Sequence, residues 1–305
     1  MTGLPHFDAD AVAAVGMAGA VEALRVGSID PFDPSPRGHV PLRTGDDLLL
    51  MPAVSSSGMG VKVVTVLSEN PARGLPLIHG FYLYLDRETG APRATLDGSA
   101  LTSLRTPAAS AVATDILART DVETLGIFGT GVQARGHVEA MLVVRPGLSE
   151  IVVCGRTNAA AEEFADSVEA DGRVVRSGSA EDAAACEVVC CCTTSVEPVV
   201  PAAAVQAGAH LNLVGSYSTA RREVDAELLN RVDVFVDHRQ AAADEAGELI
   251  LAAAESRWSF ERIVGDLSDL VNDRAGRANN EVVTLFKSVG LATWDLLVAG
   301  LVVED

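Results

Sequence analysis

Gly129-Thr-Gly131-Val-Gln-Ala134 has the form G-x-G-x-x-A. It stands between a short apolar run, Leu125 to Phe128, and a stretch with helical spacing, Val132 to Val144. That order is what binding a dinucleotide requires. Gly129 permits a tight turn, Gly131 lets the backbone approach a pyrophosphate at the helix N-terminus, and Ala134 lets helix and strand pack closely. An ordinary βα turn can carry the same letters, but the flanking strand and helix favour the dinucleotide reading. The following strand, Glu150 to Cys154, runs into Gly155-Arg156-Thr157-Asn158. An Asp or Glu usually meets the ribose hydroxyls of NADH there. None is present from 154 to 158, and Arg156 with Thr157 suits a 2′-phosphate, so NADPH is expected over NADH. A second candidate is Arg105, in Leu101-Thr-Ser-Leu-Arg-Thr-Pro107. Thr106 reads as an N-cap and Pro107 as the first residue of a helix running to about Arg119. Arg105 then lies just outside a helix N-terminus, where guanidinium and helix end together favour a carboxylate.

These residues need two kinds of scaffold. From Thr124 onward strands alternate with helices: Leu125 to Phe128, Glu150 to Cys154, Val174-Val175, Val188 to Cys192, His210 to Val214 and Val232 to Val236 are strand candidates. Helices are expected over Val132 to Val144 and Ala159 to Glu169. The alternation predicts a doubly wound parallel sheet of the Rossmann type. Before it, Asp8 caps a helix reaching about Arg25 with Gly27 as its stop, and a Pro- and Ser-rich loop follows from Asp30 to Arg37. Short β-like runs then come at His39 to Arg43, Leu48 to Met51, Val61 to Leu67, Gly80 to Asp86 and Arg93 to Leu96. They predict a small antiparallel sheet. A last helix is expected from Gly290 to Gly300.

The chain has 305 residues, room for two domains, and its 48% apolar content predicts a globular protein throughout. A net charge of −19 repels phosphate backbones and argues against nucleic-acid partners. An anionic ligand must then be captured by local Arg and Lys. Cys154, Cys186 and the run Cys190 to Cys192 have no zinc spacing, and consecutive strand residues face opposite ways, so small buried thiols in a reducing cytosol are expected. His6, His39, His79, His137, His210 and His238 show no metal-ligand spacing either. No apolar stretch is long enough for a membrane helix and no signal peptide is read, so a cytoplasmic location is expected.

The landmarks Leu50-Met-Pro52, Gly60-Val-Lys-Val-Val64, Asn70-Pro71, Thr102-Ser-Leu-Arg-Thr106, Gly129-Thr-Gly-Val-Gln133, Thr193-Thr-Ser195, Leu213-Val-Gly-Ser216, Glu245-Ala-Gly-Glu248 and Ser288-Val-Gly-Leu-Ala292 with Asp295 occur in an order and spacing that resembles the ornithine cyclodeaminase/mu-crystallin family over nearly the whole chain. The resemblance implies an α+β substrate and dimerisation domain with an open barrel-like antiparallel sheet, expected over 1–113 and 286–305. It implies a Rossmann domain over 114–285, a homodimer, and an active site in the cleft. It also implies Lys62 as the catalytic lysine and Arg43, Lys62 and Arg105 as the groups that bind a substrate carboxylate. The dinucleotide is expected along Thr106, Gly129, Thr130, Gly131, Val132, Gln133, Arg156, Thr157, Thr193, Val214, Gly215, Ser288 and Gly290.

Elementary chemistry agrees with that set. A carboxylate suits a planar two-pronged guanidinium, and a lysine beside two arginines has a depressed pKa and can exchange a proton. The chain departs from the cyclodeaminases at two points. Their acidic residue before Met-Pro, which receives a side-chain amine, is Leu49 or Leu50 here. Their catalytic aspartate after Val-Gly is replaced at Val214-Gly-Ser216-Tyr217, and Asp225 lies too far along to substitute. An apolar leucine does not bind an ammonium. The expected activity is therefore NAD(P)H-dependent imine (ketimine) reduction or amino-acid dehydrogenation at the α carbon of a small imino or amino acid. The alternatives are a cyclodeaminase, an opine-type dehydrogenase and a non-catalytic binding protein. Tyr217 is a secondary proton donor or an ordinary packed or exposed tyrosine, Asn70 lines the substrate pocket or bonds a turn, Glu248 holds a loop near the cleft or acts in catalysis, and Asp295 packs or caps its helix or reaches the site.

Overall fold

A computed structural model describes residues 3–29, 37–43, 46–56, 58–169, 171–215 and 218–304. The chain forms two units, Met1–Arg105 with Leu291–Asp305, and Thr106–Gly290. The divisions lie at 105/106 and 290/291, against the 113/114 and 285/286 read from the sequence.

In the first unit, β1 (His6–Phe7), β2 (Gly38–Arg43), β3 (Asp46–Val54), β4 (Met59–Val66), β5 (Ile78–Leu85) and β6 (Pro92–Asp97) form an open sheet in the order β1-β6-β5-β4-β3-β2. All neighbours are antiparallel except β1 and β6. Strand alternation sorts the side chains into two faces. Leu49, Met51, Ala53, Lys62, Val64, Tyr82, Tyr84, Ala94 and Leu96 are buried on one of them. The C-terminal helix Ala292–Glu304 covers this face, packing on β3 and β4. The other face leaves Val40, Leu42, Leu50, Val54 and Phe81 exposed.

Asp8 caps as expected, its carboxylate accepting from the Ala11 N–H. The single helix read from Asp8 to Arg25 is instead two, α1 (Ala9–Ala13) and α2 (Gly16–Gly27), because Gly16 takes a left-handed φ of 71° between them. Gly27 lies within α2 and is a packing glycine, since a Cβ there would run into the Leu297 side chain.

A larger correction concerns α3 (Gly98–Leu117). Pro107 lies inside this helix, so Thr106 is not its cap and Arg105 is not outside it. The start lies two turns earlier, where the Asp97 carboxylate accepts from the Ala100 N–H. Proline in a helix interior removes one backbone donor. The turn before it carries hydroxyl back-bonds to the helix: Thr102 Oγ1 donates to the Gly98 carbonyl and Ser103 Oγ to that of Ser99, each at 2.9 Å.

The second unit holds a fully parallel sheet of β7 (Thr124–Phe128), β8 (Glu150–Cys154), β9 (Val174–Ser177), β10 (Val188–Cys191), β11 (His210–Leu213), β12 (Asp233–Val236), β13 (Ile263–Asp266) and β14 (Thr284–Lys287), in the order β13-β12-β14-β11-β10-β7-β8-β9. The expected doubly wound sheet is therefore present, with helices α4 (Val132–Val144) and α5 (Asn158–Ser167) following β7 and β8. β13 and β14 were not read from the sequence. Each has four residues, and β14 carries Lys287 into the interior, so neither shows a recognisable apolar run.

Candidate active site

A cluster of charged side chains is assembled in the first unit on β4, α3 and the C-terminal helix. Lys62, on the buried row of β4, is 1% exposed and reaches two groups. Its Nζ donates to Thr102 Oγ1 at 2.9 Å and to Asp295 Oδ1 at 2.8 Å. Thr102 and Arg105 are three apart on α3 and so share a face. Arg105 Nε donates to the same Asp295 Oδ1 at 3.2 Å. Its two terminal nitrogens take no protein partner among the described residues, although the side chain is nearly buried. That is a guanidinium held by its Nε with the fork left for a planar anion. Lys62 has its pKa lowered to about 7. Burial is the main cause; Asp295 opposes it, and the charges of Arg105 and Arg37 add to it.

Arg43 does not join this group. It pairs in register with Asp46 of β3, binds that buried carboxylate through Nε, and reaches Glu69 at 3.6 Å. Asp46 also accepts from Ser68 N and Oγ, and these bonds with Arg43 lower its pKa to about 2. The guanidinium is thus engaged at the sheet edge. Arg37, six residues earlier, is with Arg105 one of the two arginines whose charge lowers the Lys62 pKa. Asp295 reaches this cluster as well as packing in its helix, since it is an ion-pair partner of both Lys62 and Arg105. Leu49 and Met51 are buried on the face that carries Lys62, whereas Leu50 points outward. Asn70 bonds a turn, donating to the Pro76 carbonyl.

In the second unit, the glycine-rich turn lies at the carboxyl ends of the parallel strands. The chain runs outward from β7 through β8 to β9, then starts again on the other side of β7 with β10. This reversal between β7 and β10 is the topological switch point where ligands bind in such sheets. Gly129 stands there with φ of 111°, and a Cβ on it would meet the Cys192 carbonyl at 2.7 Å. Gly131 caps α4 without a side-chain bond, and a Cβ on it would point into open space. Ala134 is fully buried. These features fit a pyrophosphate approaching bare backbone at a helix N-terminus. Val132 is exposed, and Thr130 and Gln133 are half-buried beside it. Arg156 is exposed after β8, and Thr157 caps α5 by accepting from Ala160 N. Thr106 is buried within α3, one residue past the division between the units.

Thr193, Val214, Gly215, Ser288 and Gly290 are held by a buried framework that sequence reading only glimpsed. Glu223 accepts from Thr193 N at 2.7 Å, Thr193 Oγ1 at 2.8 Å and Gly215 N at 2.9 Å. It ties together the residues that follow β10 and β11. Burial raises its pKa to about 7, the nearby Glu248 adding to the rise and Lys287 opposing it. Glu248 lies 3.0 Å from Lys287 and accepts from the Glu223 N–H, so it does hold a loop. Asp237 Oδ2 gathers Ser288 Oγ, Val289 N and Gly290 N at 3.1, 2.7 and 2.8 Å. Val214 N donates to the Cys191 carbonyl. Asp225 caps the helix Ala226–Leu229, its side chain accepting from Leu228 N. Ser216 and Tyr217 lie outside the described residues. Among the described residues no cluster of three His, Cys, Asp or Glu could hold a metal ion, and no helix is long and apolar enough to cross a membrane.

The chain contains two lysines, Lys62 and Lys287, against 21 arginines. Both lysines are buried and ion-paired, one in each unit.

A glycine-rich turn at the switch point of a parallel sheet and a cation cluster on a separate antiparallel sheet define a two-domain dinucleotide-dependent enzyme. The model of the ornithine cyclodeaminase/mu-crystallin family matches residues 11–305, and the chain belongs to that family. Among its relatives is the Delta(1)-pyrroline-2-carboxylate reductase of Bacillus thuringiensis subsp. konkukian, 36% identical over 86% of this chain and 83% of that protein. The solved Thermococcus litoralis Delta(1)-pyrroline-2-carboxylate reductase, in complex with NADH and L-proline, superimposes with a TM-score of 0.94 at 31% identity, covering 99% of this chain and 97% of its own. An archaeal alanine dehydrogenase dimer with bound NAD gives a TM-score of 0.93 at 29% identity, with coverage of 99% and 95%. These relatives bear out the reading as a nicotinamide-dependent imine reductase or amino-acid dehydrogenase.

Proposed function

We propose that this protein reduces small α-imino acids with NADPH, as a cytoplasmic homodimer. The observation that carries the reading is the Arg105 fork beside a lysine that titrates near neutrality. Arg105, with Arg37, binds the substrate carboxylate. This replaces the clamp by Arg43 expected from the sequence. Lys62 holds a proton at Nζ that makes the imine nitrogen an iminium, and an iminium carbon accepts hydride far more readily than a neutral imine. The dinucleotide, when bound, supplies that hydride. The product amino acid gains one hydride at carbon and one proton at nitrogen.

The side-chain wall supports a substrate that is short and apolar. Leu49 and Met51 line the Lys62 face, where a distal ammonium would need a carboxylate. Arg156 beside Thr157 supports NADPH, since an exposed guanidinium suits a 2′-phosphate. The exposed apolar row Val40, Leu42, Leu50, Val54 and Phe81 supports a second copy docking on the first unit.

The test follows NADPH absorbance with pyrroline-2-carboxylate, piperideine-2-carboxylate, and pyruvate with methylamine. Ornithine with NAD is run in parallel and read by ammonia release. Oxidation of NADPH by an imino acid is expected. Ammonia from ornithine without net cofactor change would instead make the protein a cyclodeaminase. A dissociation constant favouring NADH by about tenfold would overturn the cofactor preference.

A further inference from the structure

We propose that Asp295 is a positioning residue of the substrate half-site, whose single oxygen Oδ1 ties the Lys62 ammonium to the Arg105 guanidinium, so that Lys62 keeps a proton to give and Arg105 keeps its fork free. The inference deepens the imino-acid reductase reading and rests on it for its catalytic meaning.

The argument begins with burial. Lys62 and Asp295 are both essentially inaccessible, and a lone ammonium in such a place sheds its proton. Among the described residues, four groups with a charge or a titratable proton face Lys62. Arg105 on α3 and Arg37 before β2 disfavour its ammonium, and Asp295 on the C-terminal helix favours it. The fourth is Tyr82, the cross-strand neighbour of Lys62 on β5. Burial and the charge of Asp295 push the phenol well above its ordinary value, so Tyr82 stays neutral. Asp295 is thus the one anion among these four groups.

Its geometry shows how the charge is divided. Oδ1 accepts from Lys62 Nζ at 2.8 Å and from Arg105 Nε at 3.2 Å. The Nε contact fixes the roll of the guanidinium while leaving its two terminal nitrogens without a protein partner among the described residues. Oδ2 is buried and also finds no hydrogen-bond donor among the described residues, and the Tyr82 hydroxyl likewise lacks a partner. The carboxylate therefore spends its hydrogen bonds on the two site cations alone. A carboxylate kept only for helix capping or packing would not be placed between them.

Because the chain has two lysines, protein labelled with 13C at lysine Cε gives two signals, and the Lys62 titration is read directly without an activity assay. Lys287 serves as the fold control. In Asp295→Asn the Lys62 midpoint is expected to fall by about one unit or more, a tenfold loss of the protonated fraction at pH values above it, with Lys287 unmoved. In Asp295→Glu most of the midpoint is retained. In Arg105→Gln the shift has the opposite sign, since a competing cation is removed. A folded Asp295→Asn with an unmoved Lys62 midpoint overturns the proposal. If Asp295→Asn loses the native Lys287 signal, Arg105→Gln decides: an upward shift of Lys62 supports the shared-carboxylate arrangement, and no shift or a downward one overturns it. The alkaline limb of kcat/KM on an imino acid should move with the Lys62 midpoint. A midpoint that moves while the limb stays fixed refutes Lys62 as the proton source and leaves the assignment of Asp295 to Lys62 standing.

Discussion

Replacing Glu223 with glutamine should abolish part of the pH dependence of the second unit's stability. Glu223 is fully buried and titrates near 7 in the folded protein, against 4.5 for an ordinary glutamate. The folded state therefore binds more protons than the unfolded state between those values, and stability contributed by this group is lost as pH rises through the folded midpoint. At about 1.4 kcal/mol per unit, the loss between pH 5.5 and 8.5 is about 2 kcal/mol. Glutamine removes the ionisation. It also turns an NH2 toward a backbone N–H, either that of Thr193 or that of Gly215, at a cost of about 1–3 kcal/mol that does not vary with pH. The wild-type advantage over Glu223→Gln should thus shrink by about 2 kcal/mol across this range. The assay is urea unfolding followed by Trp258 in a Trp294→Phe background. Trp258 and Trp294 are the chain's two tryptophans, and Trp258 is buried in the same unit as Glu223, edge-on to Phe260. A difference between the two proteins that stays constant from pH 5.5 to 8.5 would refute the reasoning.

Arg105→Lys keeps the charge but not the fork, and should lower kcat/KM on an imino acid by about 10–100-fold, read from initial rates. Gly131→Ala should fold normally, because its Cβ meets nothing, yet weaken NADPH binding in calorimetry; Gly129→Ala should lower Tm, because of its φ of 111° and the Cys192 carbonyl. Arg156→Ala should reduce the ratio of NADPH to NADH affinity by about tenfold, with NADH binding nearly unchanged. Added NaCl should raise Tm, since a net charge of −19 repels itself and salt screens that repulsion; a Tm insensitive to salt from 0.05 to about 1 M would count against surface repulsion as a destabilising load.

The sequence was most legible where one local signal decided the outcome. Strands β7 and β8 and helix α4 are short, strongly patterned, and bounded by Gly or turn residues, so their limits are read within a residue. The glycine-rich turn is equally local, since each glycine's place between strand and helix can be read from its neighbours. Reading failed where distant residues decide. Pro107 looks like a helix start, yet Asp97 begins the helix two turns earlier and hydroxyl groups of Thr102 and Ser103 bond back to the preceding turn. Arg43 looks like a ligand-binding cation until Asp46 and Ser68 are seen beside it. Asp295 lies 233 residues from Lys62, and no periodicity could join them. Strand β14 was hidden because a buried lysine breaks its apolar pattern, and its ion pair with Glu248, 39 positions earlier, is not announced by any local pattern.

The scarcity of lysine has a practical consequence. A protease that cuts only after lysine finds two target bonds in the whole chain, one in each unit, and both begin beside a side chain that solvent does not reach. Cleavage after Lys62 requires the antiparallel sheet to open, and cleavage after Lys287 requires the central parallel strand β14 to leave its neighbours. The two fragment patterns differ in mass, so a timed digest reads the opening of each unit separately in the unmodified enzyme. Adding NADPH or an imino acid to the digest then tells which unit each ligand holds shut.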